Sequence, residues 1–491
     1  MLGRVISVEV LPDDVLLEIF DFYVGVDLLI QKGILVDVWR TLVHVCRRWR
    51  SLVFGSPRRL KLRLVCIHRT PTRKTLDVWP ALPLIVSGHT STFVMDNLIA
   101  ALERRDRVCK IDLRYYTSLE SGGFWAAMQE PFPELTHLWF EARGKGRSGD
   151  EESEWLVHPG EQDVSDSFLG GSAPLLQFFW MNAVRLQGLQ KLLLSATHLI
   201  DLHLIDIPDY ISSQRMATCL SVLTSLQTLS LAFGHHIYPP YKESRHSSPS
   251  TRIVLPALTY FQFSGVSEYL ENLTALIDTP GLNKLSITFN QRVSSTPELA
   301  QFVSRMPILG LPYEARMVFH DFGVAIKVRL PSQIFGHELL DVGISSGDFR
   351  DFHTYGELGS QLSSLAQVCA SLLPTVSTVE NLYIYEAPSS ALTWGEDTES
   401  TQWLKLLRPF IALKNLYLFK NIVPRIASAL EDLEEEDSIS ELLPSLQNIF
   451  VQGLQSSGHT EEGIREFIAA RRHIGHPISV STCDIKYDDT W

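Results

Sequence analysis

Apolar residues fall into two rhythms along this chain. Near the start, Leu16, Ile19, Phe20 and Tyr23 recur at three- and four-residue steps. Val38, Leu42, Val45, Cys46, Trp49, Leu52 and Val53 repeat that spacing, so the pattern predicts two amphipathic helices, the second one longer. Pro12, with a fixed φ and no N–H, suits the opening of the first helix, and Asp13 and Asp14 favour its N-terminal turn. Gly55 and Pro57 stop the second. From Val108 a different rhythm begins: an apolar residue, two others, an apolar residue, one other, an apolar residue. It runs through Val108, Ile111, Leu113; Leu135, Leu138, Phe140; Leu175, Phe178, Trp180; Leu199, Leu202, Leu204; and Leu226, Leu229, Leu231. It continues as Leu258, Phe261, Phe263; Leu282, Leu285, Ile287; Val379, Leu382, Ile384; Leu413, Leu416, Leu418; and Leu446, Ile449, Val451.

The last two apolar positions of each triplet are two apart, so both face one side of a strand. One such strand cannot bury its apolar side alone, whereas stacked copies build a continuous core. Between the strands, Met216–Leu223, Tyr269–Ile277, Glu298–Met306, Gln361–Leu372, Trp403–Phe410 and Ile422–Leu433 look helical, and Pro174, Pro256, Gly281 and Pro444 punctuate the approach to the next strand. Earlier, Lys61–Cys66 and Leu82–Val86 read as strands and Met95–Arg105 as a helix. The triplet lapses between Asn290 and Val379, where Met317–Phe319, Val324–Leu330 and Leu339–Ile344 predict antiparallel strands, an irregular segment near 310–345. A helix over Glu461–His473 and a strand over Ile478–Thr482 would cap the array near 461–491. Gly144–Ser172 and His235–Arg252 read as exposed loops, and Glu434–Asp437 as a solvated acidic turn.

Charge changes this picture in one place. Of a formal net charge of −13, residues 1–114 hold 18 basic and 12 acidic side chains, and the remainder 25 and 44. From Val38 to Leu76 there are eleven Arg or Lys and no acid, which suits either a solvated face or an acidic protein partner. The acidic whole and the lack of an aromatic-interleaved basic groove argue against nucleic acid. The six cysteines are scattered without metal spacing, which fits free thiols in a reducing compartment, cytoplasmic or nuclear. Met1–Val10 lacks the apolar core of a secretory leader, and no apolar run is long enough for a membrane span.

Leu11-Pro12, Leu16 and Ile19-Phe20, followed by Leu42, Val45-Cys46 and Arg48-Trp49, resemble the F-box, a helical module that docks on the Skp adaptor of cullin–RING ubiquitin ligases. The connector Val24–Asp37, with Gly25 and Gly33, is longer than that pattern leads one to expect. The strand–connection–helix order of the remainder resembles an irregular leucine-rich-repeat solenoid, in which the consensus asparagine falls only at Asn290 and Asn421. Taken together, the chain is similar to fungal F-box proteins with a leucine-rich-repeat-like domain. That resemblance implies a small all-α module over 8–57 and an α/β solenoid over 58–491, a curved sheet with helices outside. It further implies a substrate receptor that meets the adaptor, and through it the cullin–RING ligase, by way of Leu11, Pro12, Leu16, Ile19, Phe20, Leu42, Cys46 and Trp49. A non-catalytic repeat scaffold with the helices as a plain cap is the alternative.

In the repeat strands the residues between core positions face outward. Tyr383 and Tyr385, Tyr417 and Phe419, and Phe450 are therefore expected to line an aromatic target-binding face. No phosphate loop, nucleophile elbow or HExxH occurs, and neither His198 with His203 nor the set His235, His236 and His246 has metal-ligand spacing. No enzyme activity, cofactor or metal is expected.

Overall fold

The structure is a computed structural model that describes residues 10–26, 39–60, 62–67, 71–90, 95–116, 122–143, 163–164, 166–207, 211–233, 252–291, 293, 296–306, 312–320, 323–329, 340–345, 358–371, 376–387, 400–419, 422–431, 433, 441–452, 462–473 and 475–482. Most of the connector after Val26, most of the Gly144–Ser172 and His235–Arg252 loops, the Glu434–Asp437 acid run, Asn421 and Cys483 lie outside these. The chain divides into two compact units, Met1–Leu199 and Ile200–Trp491.

The first unit opens with helices α1 (Asp13–Val26), α2 (Trp39–Val45) and α3 (Arg47–Gly55). The single longer helix expected over Val38–Val53 is broken at Cys46. That residue is extended (φ −156°, ψ 171°), and its Sγ accepts from the Trp49 N–H at 3.4 Å, capping α3. Then follow β1 (Leu64–Ile67), α4 (Thr72–Val78), β2 (Leu84–Thr90), α5 (Met95–Leu102), β3 (Val108–Tyr116), α6 (Gly122–Met128), β4 (His137–Arg143), the short β5 (Asp163–Val164), β6 (Phe178–Asn182), the short β7 (Arg185–Leu186) and α7 (Leu189–Ser195). Strands β1, β2, β3, β4 and β6 pair in that order, all parallel. Cys66, Val86, Ile111, Leu138 and Phe179 fall in one lateral row, all buried.

One triplet read from the sequence is corrected here. Leu175 is 40% exposed, and the core is filled instead by Leu176, Phe179 and Met181. Phe178 and Trp180 therefore point outward with His137 and Trp139, their register partners. The run Leu175–Met181 is apolar at nearly every position, so alternation could not choose its parity, and a one-residue slip turns every side chain over.

The second unit contains β8 (Asp201–Ile207), α8 (Ser213–Leu220), β9 (Thr228–Phe233), β10 (Ile253–Val254), β11 (Tyr260–Gly265), α9 (Ser267–Leu276), β12 (Ile277–Asp278), β13 (Lys284–Phe289), α10 (Pro297–Ser304), β14 (Glu314–His320), β15 (Gly323–Arg329), β16 (Leu340–Ser345), α11 (Leu358–Ser371), β17 (Asn381–Glu386), α12 (Ser400–Leu407), β18 (Asn415–Leu418), α13 (Val423–Glu431), β19 (Asn448–Val451), α14 (Glu462–His473) and β20 (Ser479–Thr482). Its strand order is β8-β9-β11-β13-β16-β15-β14-β17-β18-β19-β20. The irregular segment is a three-stranded antiparallel meander inserted backwards, so that β16 continues β13 and β14 leads into β17, both in parallel. Because each end pairs in parallel, the meander replaces one repeat without breaking the core rows.

Those rows hold this unit together. Leu202, Leu229, Phe261, Leu285, Leu340, Val328, Ala315, Leu382, Leu416 and Ile449 are successive register partners, each at most 1% exposed. Helices α8, α9 and α10 pack side by side, as do α11, α12, α13 and α14. Outside the corrected repeat, every apolar triplet lies in the core. Strands in register with a helix in most connections make a leucine-rich-repeat-like α/β array. Two side chains fasten its helices. Glu271 of α9 accepts from the Glu298 and Leu299 N–H groups (2.6 and 3.1 Å), capping α10. Arg471 of α14, 1% exposed, donates to the Leu443 and Pro444 carbonyls at 3.3 and 3.2 Å.

Candidate protein-docking surfaces

The helical module is built so that α1 splits its apolar residues between two faces. Leu16 and Phe20 are fully buried, and Phe20 packs on the half-buried Trp49 ring at 4.7 Å. Val15, Ile19, Phe22 and Tyr23, on the adjoining arc, are 38, 47, 77 and 44% exposed. The stripe at Val15, Ile19 and Phe22 has the i, i+4, i+7 spacing of one helix face. Of the residues expected to meet an adaptor, Ile19, Pro12 and Cys46 are exposed, Leu11 and Trp49 are half-buried, and Leu16, Phe20 and Leu42 lie inside as support. Arg48 fixes the approach of the Leu11-Pro12 segment. Its Nη2 donates to the Leu11 carbonyl at 2.5 Å and to Asp13 Oδ1 at 2.6 Å.

The module is anchored to the rest of its unit through α2. Trp39, 3% exposed, donates its indole N–H to the Arg63 carbonyl at 2.7 Å. Its ring meets Trp79 at 5.3 Å and Phe54 at 6.1 Å, and the Arg40 guanidinium lies over Trp79 at 5.3 Å. Much of the basic stretch is thus used within the chain: Arg48 pairs with Asp13, Arg59 with Glu18 and Arg73 with Glu103.

On the second unit's sheet, Tyr383, Tyr417 and Phe450 do fall in one row. Their rings stack in parallel, 4.2 Å and 4.6 Å apart. The row continues on one side to Arg316, whose guanidinium lies 5.3 Å from the Tyr383 ring, and on the other to Ser481. Burial raises the Tyr383 phenol pKa, with the Glu314 charge next, so it remains a neutral hydrogen-bonding group. Tyr385 and Phe419 are 8 and 6% exposed, and this removes them from any docking face. They close against one another at 5.1 Å. Beside the ring row runs a ladder missed in the sequence: Asn448 donates to Asn415 at 2.7 Å, and Asn415 to Asn381 at 2.8 Å. The recurrence of Asn at the first position of NLYI, NLYL and NIFV was the available signal.

The outward aromatics of the first unit were also missed, because the slipped parity assigned two of them to the core. Trp139 and Trp180 lie 4.0 Å apart, tilted by 40°, with Phe178 and His137 beside them. His203 lies on the outward face of β8, where burial lowers its pKa against the pull of Asp201. No group of three or more His, Cys, Asp or Glu able to hold a metal ion occurs among the described residues, and no described helix is long and apolar enough to cross a membrane.

No family model matches this chain, and no curated protein matches it. Among solved structures it is similar to the leucine-rich repeat-containing protein LegL7 from Legionella pneumophila. That likeness has 12% sequence identity and a TM-score of 0.24, and spans 83% of this chain and 97% of that one. The fold assignment rests on the strand register described above and not on this likeness.

Proposed function

We propose that this chain is the substrate-recognition subunit of a Skp–cullin–F-box ubiquitin ligase. The helical module docks on the Skp-type adaptor, and the repeat array holds a protein target. The observation that carries the reading is the uncovered apolar stripe of α1. Six of the thirteen exposed large apolar side chains among the described residues lie between Val10 and Val45. Such a concentration on a small helical segment marks a surface meant for a partner. Leu11 and Pro12, the residues that carry the resemblance, remain accessible beside it. The contribution to catalysis is effective concentration: the chain brings the target to a charged conjugating enzyme, which performs the transfer.

The Trp39–Trp79 anchor favours a second reading, in which the module only caps the array. Co-purification separates them. The full-length chain should retain a Skp-type adaptor, and Ile19→Glu with Phe22→Glu should abolish retention while leaving the circular dichroism spectrum unchanged, since both side chains are exposed. Retention of the adaptor by the double variant would overturn the docking site, and failure of the unaltered chain to bind any Skp-type adaptor would leave the scaffold.

A further inference from the structure

Two arginine doublets frame α3. Arg47-Arg48 opens it, and Arg58-Arg59 lies in the turn that follows Gly55. In each doublet one arginine is used inside the module, on an acid of α1. Arg48 donates to Asp13 Oδ1 at 2.6 Å, and Arg59 pairs with Glu18. The other members, Arg47 and Arg58, are exposed and pair with no acid among the described residues. Arg50, one turn after Arg47 and also exposed, donates its Nε–H to the Val43 carbonyl at 2.9 Å and likewise has no acidic partner among the described residues. No acid occurs in α3 itself. Like charges one turn apart weaken a helix, so Arg47 and Arg50 contribute nothing to the helix by standing together.

The bonded arginines locate the unbonded ones. Glu18 stands three residues after Val15 and four before Phe22, so it borders the uncovered apolar stripe of α1, and the Arg59–Glu18 pair brings Arg58 to that border. Arg48 also reaches the Leu11 carbonyl at 2.5 Å, which brings Arg47 near the Leu11-Pro12 segment. The remaining exposed acids, Asp14 and Asp21, belong to α1. Charge is therefore sorted across this surface, with cations along α3 and the turn after it and acids on α1. Phe22 could enter an anionic bilayer only with Asp21 beside it, against the surface potential, and nucleic-acid phosphates would meet the same repulsion. A protein surface can match both signs, because its charges are placed singly. We infer that the partner covering the α1 stripe presents carboxylates opposite Arg47, Arg50 and Arg58, and that these arginines steer its approach and fix its register. The inference rests on the docking reading given above and adds to it the charge of the partner's rim. Rim charges act on the rate of encounter more than on the lifetime of a complex.

The test measures association and dissociation rates of the full-length chain on an immobilised Skp-type adaptor over a series of salt concentrations. Association should slow steeply as salt rises while dissociation changes little, because screening weakens the steering and leaves the apolar contact intact. Arg47→Glu with Arg58→Glu should slow association about tenfold at low salt, and the variant and unaltered chains should converge at high salt. Its circular dichroism spectrum should be unchanged, since neither side chain bonds within the described residues. The salt series on the unaltered chain needs no variant and decides the matter even if the variant misfolds. Salt-independent association, or an unchanged rate in the folded double variant, would overturn the inference and leave adaptor docking standing. Failure of the unaltered chain to bind any Skp-type adaptor would remove the docking reading and this inference with it. Binding of the unaltered chain to phosphatidylserine vesicles, lost in the double variant, would assign the arginines to a lipid surface and likewise overturn it.

Discussion

Burial sets the chemistry of the thiols residue by residue. Loss of solvent pushes the Cys219 thiol up to about 11 and the Cys369 thiol up to about 12, from an ordinary value of 9.0. A thiol whose pKa rises on folding is protonated in both states at neutral pH and contributes no pH dependence there. Above pH 9 the unfolded chain ionises first, so stability is lost as the pH climbs from about 9 toward 12. The denaturation midpoint should therefore fall in that window, and Cys369→Ala should flatten part of the fall even though it lowers stability overall by leaving a small cavity. An identical slope in the variant would show that this thiol does not titrate with unfolding. Exposed Cys46 should meanwhile react with maleimide in the folded chain at neutral pH, while Cys219 and Cys369 react only after denaturation. The residue scale is also where the sequence was least legible. At Phe178-Phe179-Trp180-Met181 every position can fill a core, so only the register with β4 decides which side chains face out. Tyr385 and Phe419 failed as surface residues for another reason: β17 runs on in register through Tyr385 to Glu386, but the Tyr385 ring, on the outward side, is covered by Phe419 at 5.1 Å, a contact that alternation does not reveal.

Elements are held by partners distant in sequence, which local patterns do not reveal. The seven-residue helices α4, α6 and α7 were not read, being too short to complete a periodic face, whereas the helices of the second unit and α5 were readable, since apolar steps of three and four residues are strong signals. What starts them was less so. Thr296 precedes α10 yet makes no side-chain cap, and the carboxylate of Glu271 takes over from the neighbouring helix. A negative group on two free N–H donors at a helix start combines a cap with a favourable dipole interaction. Glu271→Ala should cost about 1–2 kcal/mol, read as a lower urea midpoint with unchanged slope, and Glu271→Gln should recover part of it, because the amide oxygen still accepts. A change below about 0.3 kcal/mol would mean that water replaces the carboxylate at no loss. The break at Cys46 teaches the same lesson. Periodicity ran unbroken from Val38 to Val53, but a sulfur cap and an extended backbone divide the segment into α2 and α3.

For the molecule, repeat architecture makes stability local and additive along the array. Each strand touches only its neighbours, so disturbance at one end should decay with distance from it. The C-terminal end is held by α14, through Arg471 on the carbonyls of Leu443 and Pro444, and β20 beyond it has all four residues exposed. Burial lowers the Arg471 pKa, yet a guanidinium stays charged at any working pH, so the group is a buried cation bonded to neutral acceptors. Arg471→Ala removes both bonds, the Leu443 carbonyl keeping only the Leu446 N–H at 3.0 Å, a cost of roughly 1.5–3 kcal/mol confined to the cap. Amide exchange should then quicken first in β20, next in β19 and then in β18, with β1 to β4 unchanged. The order matters more than the size of the effect, because a globular core would lose protection everywhere at once. Uniform loss would show that the repeats unfold as one cooperative block. A graded loss would show that the stacked aromatic row at Tyr417 and Phe450 depends on the cap that follows it, and that this row can be loosened without disturbing the helices at the start of the chain.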